Sequence, residues 1–300
     1  MLALDKQCLR GSIPPLVTPF RDGKVDCDAY AKLVEFQAAN GSHGVLVNGT
    51  TSEPSSLTIE ERNRLIDVAV EAANEKITVV AASGSQSYAE TEALTRHAAK
   101  QRGVDALLIV TPYYSRPPQR GIVEYYRQLN SLHSKPWMIY HIPGRAAVDV
   151  KVETVQQIDQ SCPTFVGLKH ASLDLAFVSD VLEEVNENLR IFVGLEELSF
   201  PMMAVGACGL MNAVGNISPR PLAEMCEAVW AGDLFQARRL HRQLFEINKA
   251  VFYDTNPIPM KYMMKRLGIL PANEHRLPMM PATPELEKRL DEVLERNGLL

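Results

Sequence analysis

Lys169 lies near the end of an apolar run, residues 165–172, whose length and composition predict a buried strand. An amine that apolar walls keep from water loses its proton more readily, and a neutral amine can attack a carbonyl carbon to form a Schiff base. The alternative is that the Lys169 head group simply reaches water at the strand exit. The run by itself favours the alternative because lysines usually remain solvated.

Other side chains with useful chemistry follow other predicted strands. Thr50 and Thr51 follow the second predicted strand, and Tyr114 follows the fourth. Tyr140 lies near the end of the fifth, Arg145 follows it, and Met211 lies within the eighth. Threonine hydroxyls and a glycine backbone can hold a carboxylate, a phenol can transfer a proton, and arginine binds carboxylates through two parallel hydrogen bonds. Each has a structural alternative: a polar turn, aromatic packing, a tyrosine bonded to backbone, or a surface ion pair. His141 is a candidate base, although a single strand histidine is more often a satisfied core residue.

The elements that would position these side chains alternate between strand and helix. Strands are predicted at 12–20, 44–49, 77–84, 105–111, 136–142, 165–172, 190–194 and 209–214. Helices are predicted at 28–40, 58–74, 87–101, 119–132, 151–159, 174–186, 199–205 and 219–231, with capping signals at Thr58 and Ser87. Eight such units predict a (β/α)8 TIM barrel, whose active site lies at the carboxyl ends of the strands. A doubly wound open sheet is the rival, but the first turn lacks a G-x-G-x-x-G sequence.

The last part of the chain has helical patterns only, at 233–253, 257–267 and 284–296. We therefore expect residues 1–231 to form the barrel that carries the active site. Residues 232–300 would form a C-terminal helical extension.

Composition excludes several classes of protein. The 300 residues are 46% hydrophobic and 22% charged, with a net charge of -5, so a nucleic-acid partner is not expected. Five scattered cysteines, without C-x-x-C spacing, suggest reduced thiols in the cytoplasm. Neither a signal peptide nor a membrane-spanning run is predicted. Metal-ligand spacing and nucleotide fingerprints are absent from the sequence, so we expect no metal and no cofactor. A metal-free Schiff-base lyase accounts for all the pieces together.

Several segments also resemble a known family, the dihydrodipicolinate synthase/N-acetylneuraminate lyase family of pyruvate-dependent aldolases. They are Gly49-Thr50-Thr51 with Glu53, Thr111-Pro112-Tyr113-Tyr114 with Arg116-Pro117, Tyr140 with Pro143, and Gly167-Leu168-Lys169. Two later segments, Asn256-Pro257-Ile258-Pro259-Met260-Lys261 and Arg276-Leu277-Pro278-Met279, resemble the synthase branch. The resemblance covers essentially the whole chain.

The resemblance implies a role for each residue. Lys169 would form the imine with pyruvate and Tyr140 would move protons beside it, linked to solvent through Thr50 and Tyr114. Thr51 would hold the pyruvate carboxylate, helped by backbone at Met211, and Arg145 would bind the carboxylate of the second substrate. Tyr114 would cross a tight-dimer interface, and the assembly would be a homo-oligomer, usually a dimer of dimers.

The chain departs from the family pattern in two places that bear on substrate and regulation. Around the expected second-substrate pocket, Ser52, His170, Gly144, Ala146-Ala147 and Gly194-Leu195-Glu196 replace the usual residues. At the family's lysine-feedback site, Glu90 and Tyr113 are kept, but Ile59, Arg62 and Gln86 are not the residues of regulated enzymes. We expect weak or absent inhibition by lysine.

The expected reaction is condensation of pyruvate with L-aspartate 4-semialdehyde to 4-hydroxy-tetrahydrodipicolinate, in lysine and diaminopimelate biosynthesis. Arg145 favours this because sugar-acid and sialic-acid lyases, whose aldehyde partner is neutral, generally lack that arginine. The first alternative is a paralogous aldolase or dehydratase that acts on another 2-oxo acid. A barrel that only senses pyruvate-like ligands is a more distant alternative.

Overall fold

A computed structural model describes residue 5 and residues 7–300 of the chain. Eight parallel strands of this described part form one sheet. They are β1 (Gly11–Ser12), β2 (Gly44–Val47), β3 (Thr78–Ala82), β4 (Ala106–Val110), β5 (Trp137–His141), β6 (Phe165–His170), β7 (Arg190–Val193) and β8 (Gly209–Leu210). From β2 to β8 each strand pairs with the next, β8 pairs with β1, and a bridge between Leu46 of β2 and Pro15, which follows β1, closes the circle. The predicted barrel is confirmed.

Helices surround this sheet. They are α1 (Cys27–Ala39), α2 (Ile59–Ala73), α3 (Tyr88–Lys100), α4 (Gln119–Asn130), α5 (Val152–Ser161), α6 (Leu175–Asp180), α7 (Ser199–Ala204) and α8 (Pro219–Trp230). Thr58 and Glu61 form the predicted capping box of α2, and the Ser87 hydroxyl accepts from Glu90 at the start of α3.

Some predicted boundaries are wrong. The first strand ends at Ser12 rather than continuing to residue 20, because Pro14 and Pro15 have no amide hydrogen to donate to a neighbouring strand. Residues Phe20–Arg21 and Lys24–Val25 instead form a small antiparallel hairpin, with its turn at Asp22 and Gly23. The eighth strand ends at Leu210, before the helical turn Ala213–Asn216.

Helical predictions differ in two places. The helix predicted at 174–186 begins as α6 and continues as a π-helical turn, Val181–Val185. The helix predicted at 233–253 is two helices, α9 (Leu234–Gln243) and α10 (Phe245–Ala250). After them come α11 (Ile258–Arg266) and α12 (Pro284–Arg296), close to their predicted ranges.

The C-terminal helices pack on the barrel. The helix α9 packs against α8, and α12 packs against α10 and α11. A division of the chain at residues 231 and 232 stays a prediction. No helix in the part of the chain that the structure describes is long and apolar enough to cross a bilayer.

Strand alternation separates the core into two layers. Trp137 and Ile139 of β5 face the surrounding helices, whereas Met138 and Tyr140 face the barrel interior. On β6, Phe165 and Leu168 face the helices and Val166 faces the interior. Phe165 and Leu168 are three residues apart and yet share a face, whereas a regular strand places only every second residue on the same face. The β6 strand is therefore irregular.

A β-bulge in β6 decides which face Lys169 occupies. Trp137 pairs with Phe165, but Met138 pairs with Gly167, so the β6 strand contains one extra residue. At Gly167 the φ angle is +154°, and a Cβ would lie 2.0 Å from the Arg190 carbonyl oxygen. Glycine is therefore required there. Beyond the bulge Lys169 pairs with Tyr140, which puts both side chains on the inward face.

Candidate active site

Lys169 and Tyr140 lie side by side at the carboxyl end of the barrel. Lys169 is 3% exposed, and its Nζ lies 4.4 Å from the centre of the Tyr140 ring. The chain leaves room for this lysine at Gly194, where a Cβ would lie 3.1 Å from Lys169 Cε and 2.8 Å from the Ala171 Cβ. Any larger residue at position 194 would crowd the amine. Lys169 therefore does not have the solvated head group of the structural alternative.

The turn after β2 brings Thr50 to Tyr140. Thr50, Thr51 and Ser52 form one 3-10 helical turn, and Thr50 Oγ1 lies 3.2 Å from Tyr140 Oη. Thr51 is buried, and its hydroxyl accepts a hydrogen bond of 3.0 Å from Asn256 Nδ2. A lysine, a phenol and a hydroxyl from three different strand ends thus meet, as predicted.

Tyr114 is placed differently. Its side chain is 90% exposed on the single chain, and its φ of 70° lies in the left-handed region that non-glycine residues rarely adopt. Within a single copy of the protein, Tyr114 therefore does not reach the hydroxyl groups of Thr50 and Tyr140.

Met211 is buried at the end of β8, and its amide donates to the Val193 carbonyl at 2.8 Å. The amide is therefore used within the barrel, and the group that Met211 can offer to a ligand is its carbonyl oxygen. A carbonyl oxygen accepts hydrogen bonds and cannot hold a carboxylate. The predicted help from Met211 in binding the pyruvate carboxylate is inconsistent with this geometry.

Arg145 lies in the single helical turn Pro143–Ala146 and is exposed. It lines a cavity of about 520 Å³, together with Tyr140, Thr50 and Ile142. The cavity therefore extends from the Tyr140 side chain to the Arg145 guanidinium.

The departures Ser52 and His170 do not line this cavity. Ser52 donates to the Leu16 carbonyl, and its own carbonyl accepts from Thr18, so it joins the β2 turn to the segment after β1. His170 faces the surrounding helices and stacks on Phe177 of α6. The expectation that both residues flank the second-substrate pocket is wrong, because strand alternation turns His170 outward.

A buried charged cluster lies beside the turn that follows β2. Glu53 Oε1 lies 2.9 Å from Lys261 Nζ and 3.2 Å from His275 Nδ1. Burial raises the pKa of Glu53, but the hydrogen bond from His275 and the charge of Lys261 outweigh burial and hold that pKa below its usual value. Lys261 belongs to α11, so the C-terminal helices fix the loop that carries Thr50 and Thr51.

Glu196 supports the β8 end in a similar way. Its Oε1 accepts from the amides of Ala213, at 2.6 Å, and Val214, at 3.4 Å, which lie two and three residues after Met211. Burial raises the pKa of Glu196 to about 7, although the amides and the charge of Lys169 oppose this. The Glu196 carboxyl group therefore keeps its proton to higher pH than a solvated glutamate does, and it is close enough to Lys169 to feel its charge.

Local sequence patterns assign no role to Lys261, His275, Asn256 or Glu196. Asn256 and Lys261 stand in a segment that resembles the synthase branch, but nothing local indicates that they contact the β2 turn. Their contacts to Thr51 and Glu53 span 205 and 208 residues of sequence.

The residues expected at the lysine-feedback site line the far part of the same 520 Å³ cavity. They are Ile59, Arg62, Gln86, Glu90 and Tyr113. The Arg62 guanidinium donates to the carbonyls of Ala82 and Gly84, and Glu90 accepts from Ser85 at 2.6 Å. Burial lowers the pKa of Arg62 to about 10, so the side chain stays positively charged at neutral pH.

Groups of three or more metal-ligating side chains are absent from the described part of the chain.

Comparisons with known proteins agree with this geometry. Residues 8–297 match the model of the dihydrodipicolinate synthetase family. The chain belongs to this family. It is 44% identical to 4-hydroxy-tetrahydrodipicolinate synthase of Thermus thermophilus over 97% of both chains.

Solved structures of the family superpose closely. The crystal structure of dihydrodipicolinate synthase from Aquifex aeolicus has a TM-score of 0.94 and 37% identity, and the match covers 97% of this chain and 99% of that one. The enzyme from Acinetobacter baumannii, solved with pyruvate bound, has a TM-score of 0.93 and 32% identity over 97% and 99% of the two chains.

Proposed function

We propose that this chain catalyses the condensation of pyruvate with L-aspartate 4-semialdehyde to 4-hydroxy-tetrahydrodipicolinate, through a Schiff base on Lys169. The observation that carries the proposal is a buried lysine amine beside a tyrosine that is hydrogen-bonded to Thr50. Membership of the family and the name of the 44% identical relative support the same reaction.

The chemistry follows from this arrangement. The neutral Lys169 amine attacks the ketone carbon of pyruvate, water leaves, and the resulting iminium withdraws electrons from the neighbouring methyl group. Loss of a methyl proton gives an enamine, whose carbon forms the new bond to the aldehyde. Attack by the substrate's own amine on the iminium then closes the ring and releases Lys169. One water leaves for each turnover.

Proton transfers in these steps are the role of Tyr140. A phenol is a poor base at neutral pH unless its proton can pass onward, and the Thr50 hydroxyl at 3.2 Å provides that route. Tyr114 would extend the route to solvent. Because its side chain is exposed on the single chain, we propose that it does so across an interface between two copies, in a homotetramer built as a dimer of dimers.

Substrate binding uses groups around the cavity. Thr51 holds the pyruvate carboxylate, at the start of the 3-10 turn where amides are free to donate. The Met211 carbonyl accepts from a protonated atom of a bound intermediate rather than from the carboxylate. Arg145 binds the carboxylate of the aldehyde substrate through its guanidinium.

We propose that the protein acts in lysine and diaminopimelate biosynthesis and, because its scattered cysteines suggest reduced thiols, in the cytoplasm. Turnover of pyruvate with aspartate semialdehyde, compared with cleavage of 2-keto-3-deoxygluconate and of N-acetylneuraminate, tests the substrate. Faster cleavage of either sugar acid would identify the paralogous aldolase instead.

A variant of Arg145 tests the second-substrate assignment separately. Arg145→Ala should lower the condensation rate far more than the rate of imine formation with pyruvate. Arg120→Ala, an exposed arginine on α4, serves as the control for loss of one positive charge. Equal losses in imine formation and condensation would count against the role of Arg145.

A further inference from the structure

Two histidines lie directly behind the reacting pair. His141 and His170 are register partners on β5 and β6, as Tyr140 and Lys169 are one residue earlier. Successive side chains of a strand point to opposite faces, so the histidines face outward where the reacting groups face inward. Both are buried, and their Nδ1 atoms lie 3.1 Å apart.

The outer nitrogen of each ring faces a hydrogen-bond acceptor. His170 Nε2 lies 2.9 Å from the Asp174 carbonyl oxygen, and His141 Nε2 lies 2.7 Å from Asp149 Oδ1. Both outer nitrogens therefore carry a proton if Asp149 is ionised. In neutral rings the two Nδ1 atoms would then present lone pairs to each other at 3.1 Å, which is a repulsive contact.

The arrangement therefore needs one extra proton. Asp149, His141 and His170 together must carry one more proton than an ionised carboxylate and two neutral imidazole rings hold. This total does not depend on whether the extra proton is on a histidine ring or on the Asp149 carboxyl group. With it, each hydrogen bond in the row from Asp149 to the Asp174 carbonyl has one donor and one acceptor, and such rows reinforce one another in a buried site.

A second arrangement exists without the extra proton. The Val150 amide lies 3.3 Å from His141 Nε2 and can donate to it. Asp149 has a side chain that is 72% exposed, so it can turn into water. His141 Nδ1 then carries the proton that it donates to His170. The two arrangements differ by one proton and by the position of Asp149.

We propose that Asp149, His141 and His170 are positioning residues: one proton shared among them holds the ends of β5 and β6 together and thereby sets the separation of Tyr140 and Lys169. This inference rests on the proposed function, because the rate it concerns is that of imine chemistry on Lys169.

The surroundings give the direction of the proton equilibrium. Burial and the neighbouring His141 lower the pKa of His170 to about 4, and burial lowers the pKa of His141. Asp149 and Asp174 raise the pKa of both histidines, but they do not outweigh burial. From α6 the rings face the apolar ring of Phe177. The shared proton is therefore held at acid pH and lost as the pH rises toward neutrality.

Two substitutions of Asp149 separate the arrangements. Asp149→Asn supplies an amide hydrogen to His141 Nε2, so the row is complete without the extra proton at every pH. Asp149→Ala leaves only the arrangement with Val150. The exposed side chain, and the hydrogen bond that the Asp149 carbonyl accepts from Gln119, allow both variants to fold. Glu153→Gln is the control for loss of a nearby surface carboxylate.

The experiment measures kcat with saturating pyruvate across the acid limb of the pH profile. We expect Asp149→Asn to exceed Asp149→Ala by about threefold or more, the size of coupling through packed neighbours. Wild type should follow Asp149→Asn at the acid end and approach Asp149→Ala toward neutrality, whereas Glu153→Gln should follow wild type. Identical profiles for the two Asp149 variants would overturn the proposal, as would a wild type that runs parallel to either variant throughout.

A second readout does not depend on turnover. In protein labelled with [15N]histidine, the ring nitrogens of His141 and His170, assigned by their loss in His141→Gln and His170→Gln, should shift together as the proton binds to wild type. In Asp149→Asn that joint shift should be absent. Its persistence there would refute the shared proton. Absence of turnover in wild type with a normal joint shift would instead refute the proposed function.

Discussion

Replacing Lys261 by methionine tests how the C-terminal helices support the active-site turn. The Lys261 and Glu53 side chains are 0% and 1% exposed, with Nζ and Oε1 2.9 Å apart. Methionine preserves most of the aliphatic stem but leaves the Glu53 carboxylate buried without its cation. Removing one partner of a buried pair costs about 3–5 kcal/mol of unfolding free energy. Because His275 still faces Glu53, we expect a loss near ~3 kcal/mol, at the lower end of that range.

Urea unfolding at a fixed protomer concentration measures this loss, since association contributes to apparent stability. Lys265→Met, an exposed lysine one turn later on α11, is the matched control and should change stability by less than about 0.5 kcal/mol. The double variant Lys261→Met/Glu53→Gln removes the buried charge as well and should recover part of the loss. A Lys261→Met cost below about 1 kcal/mol, with no recovery in the double variant, would refute the reasoning.

Three further predictions concern the site and its surroundings. Thr50→Val removes the hydroxyl beside Tyr140 and should lower kcat by roughly tenfold or more, with pyruvate still trapped on the enzyme by borohydride; unchanged kcat would exclude Thr50 from proton transfer. Glu196→Gln should gain stability relative to wild type as the pH rises. The native Glu196 pKa of about 7 lies above its ordinary 4.5, so wild type binds a proton on folding in that window and loses its contribution as the pH rises through 7. The gain should reach about 3 kcal/mol in urea titrations at several pH values, and a constant difference would contradict it. Lysine should inhibit weakly, because Ile59, Arg62 and Gln86 are not the residues of regulated enzymes; strong inhibition at sub-millimolar lysine in a rate titration would overturn this.

The sequence was sufficient to predict which strand ends carry Thr50, Tyr140 and Lys169. Strand-like runs at regular spacing predict a barrel, and a barrel brings the carboxyl ends of all its strands to one face. That topology brings the strand ends of Thr50, Tyr140 and Lys169 to one face, but the inward direction of the Lys169 side chain also depends on the bulge in β6. The bulge that turns Lys169 inward is less evident, although Gly167 inside a strand is the kind of residue that marks one.

The long-range contacts were beyond prediction from local patterns. Lys261 contacts Glu53 across 208 residues, and a lysine in an amphipathic helix gives no local sign that it is buried. The contact between His141 and His170 depends on the strand register, which one extra residue in β6 changes. Strand and helix ends shifted for local reasons, as at Pro14, where a missing amide ends the ladder.

The central claim is that Lys169 forms the imine. Protein incubated with pyruvate and sodium borohydride, digested and examined by mass spectrometry, tests it directly. We predict a reduced pyruvate adduct on the peptide that contains Lys169, dependent on pyruvate and absent from Lys169→Arg. An adduct on another lysine, or none on wild type, would contradict the account.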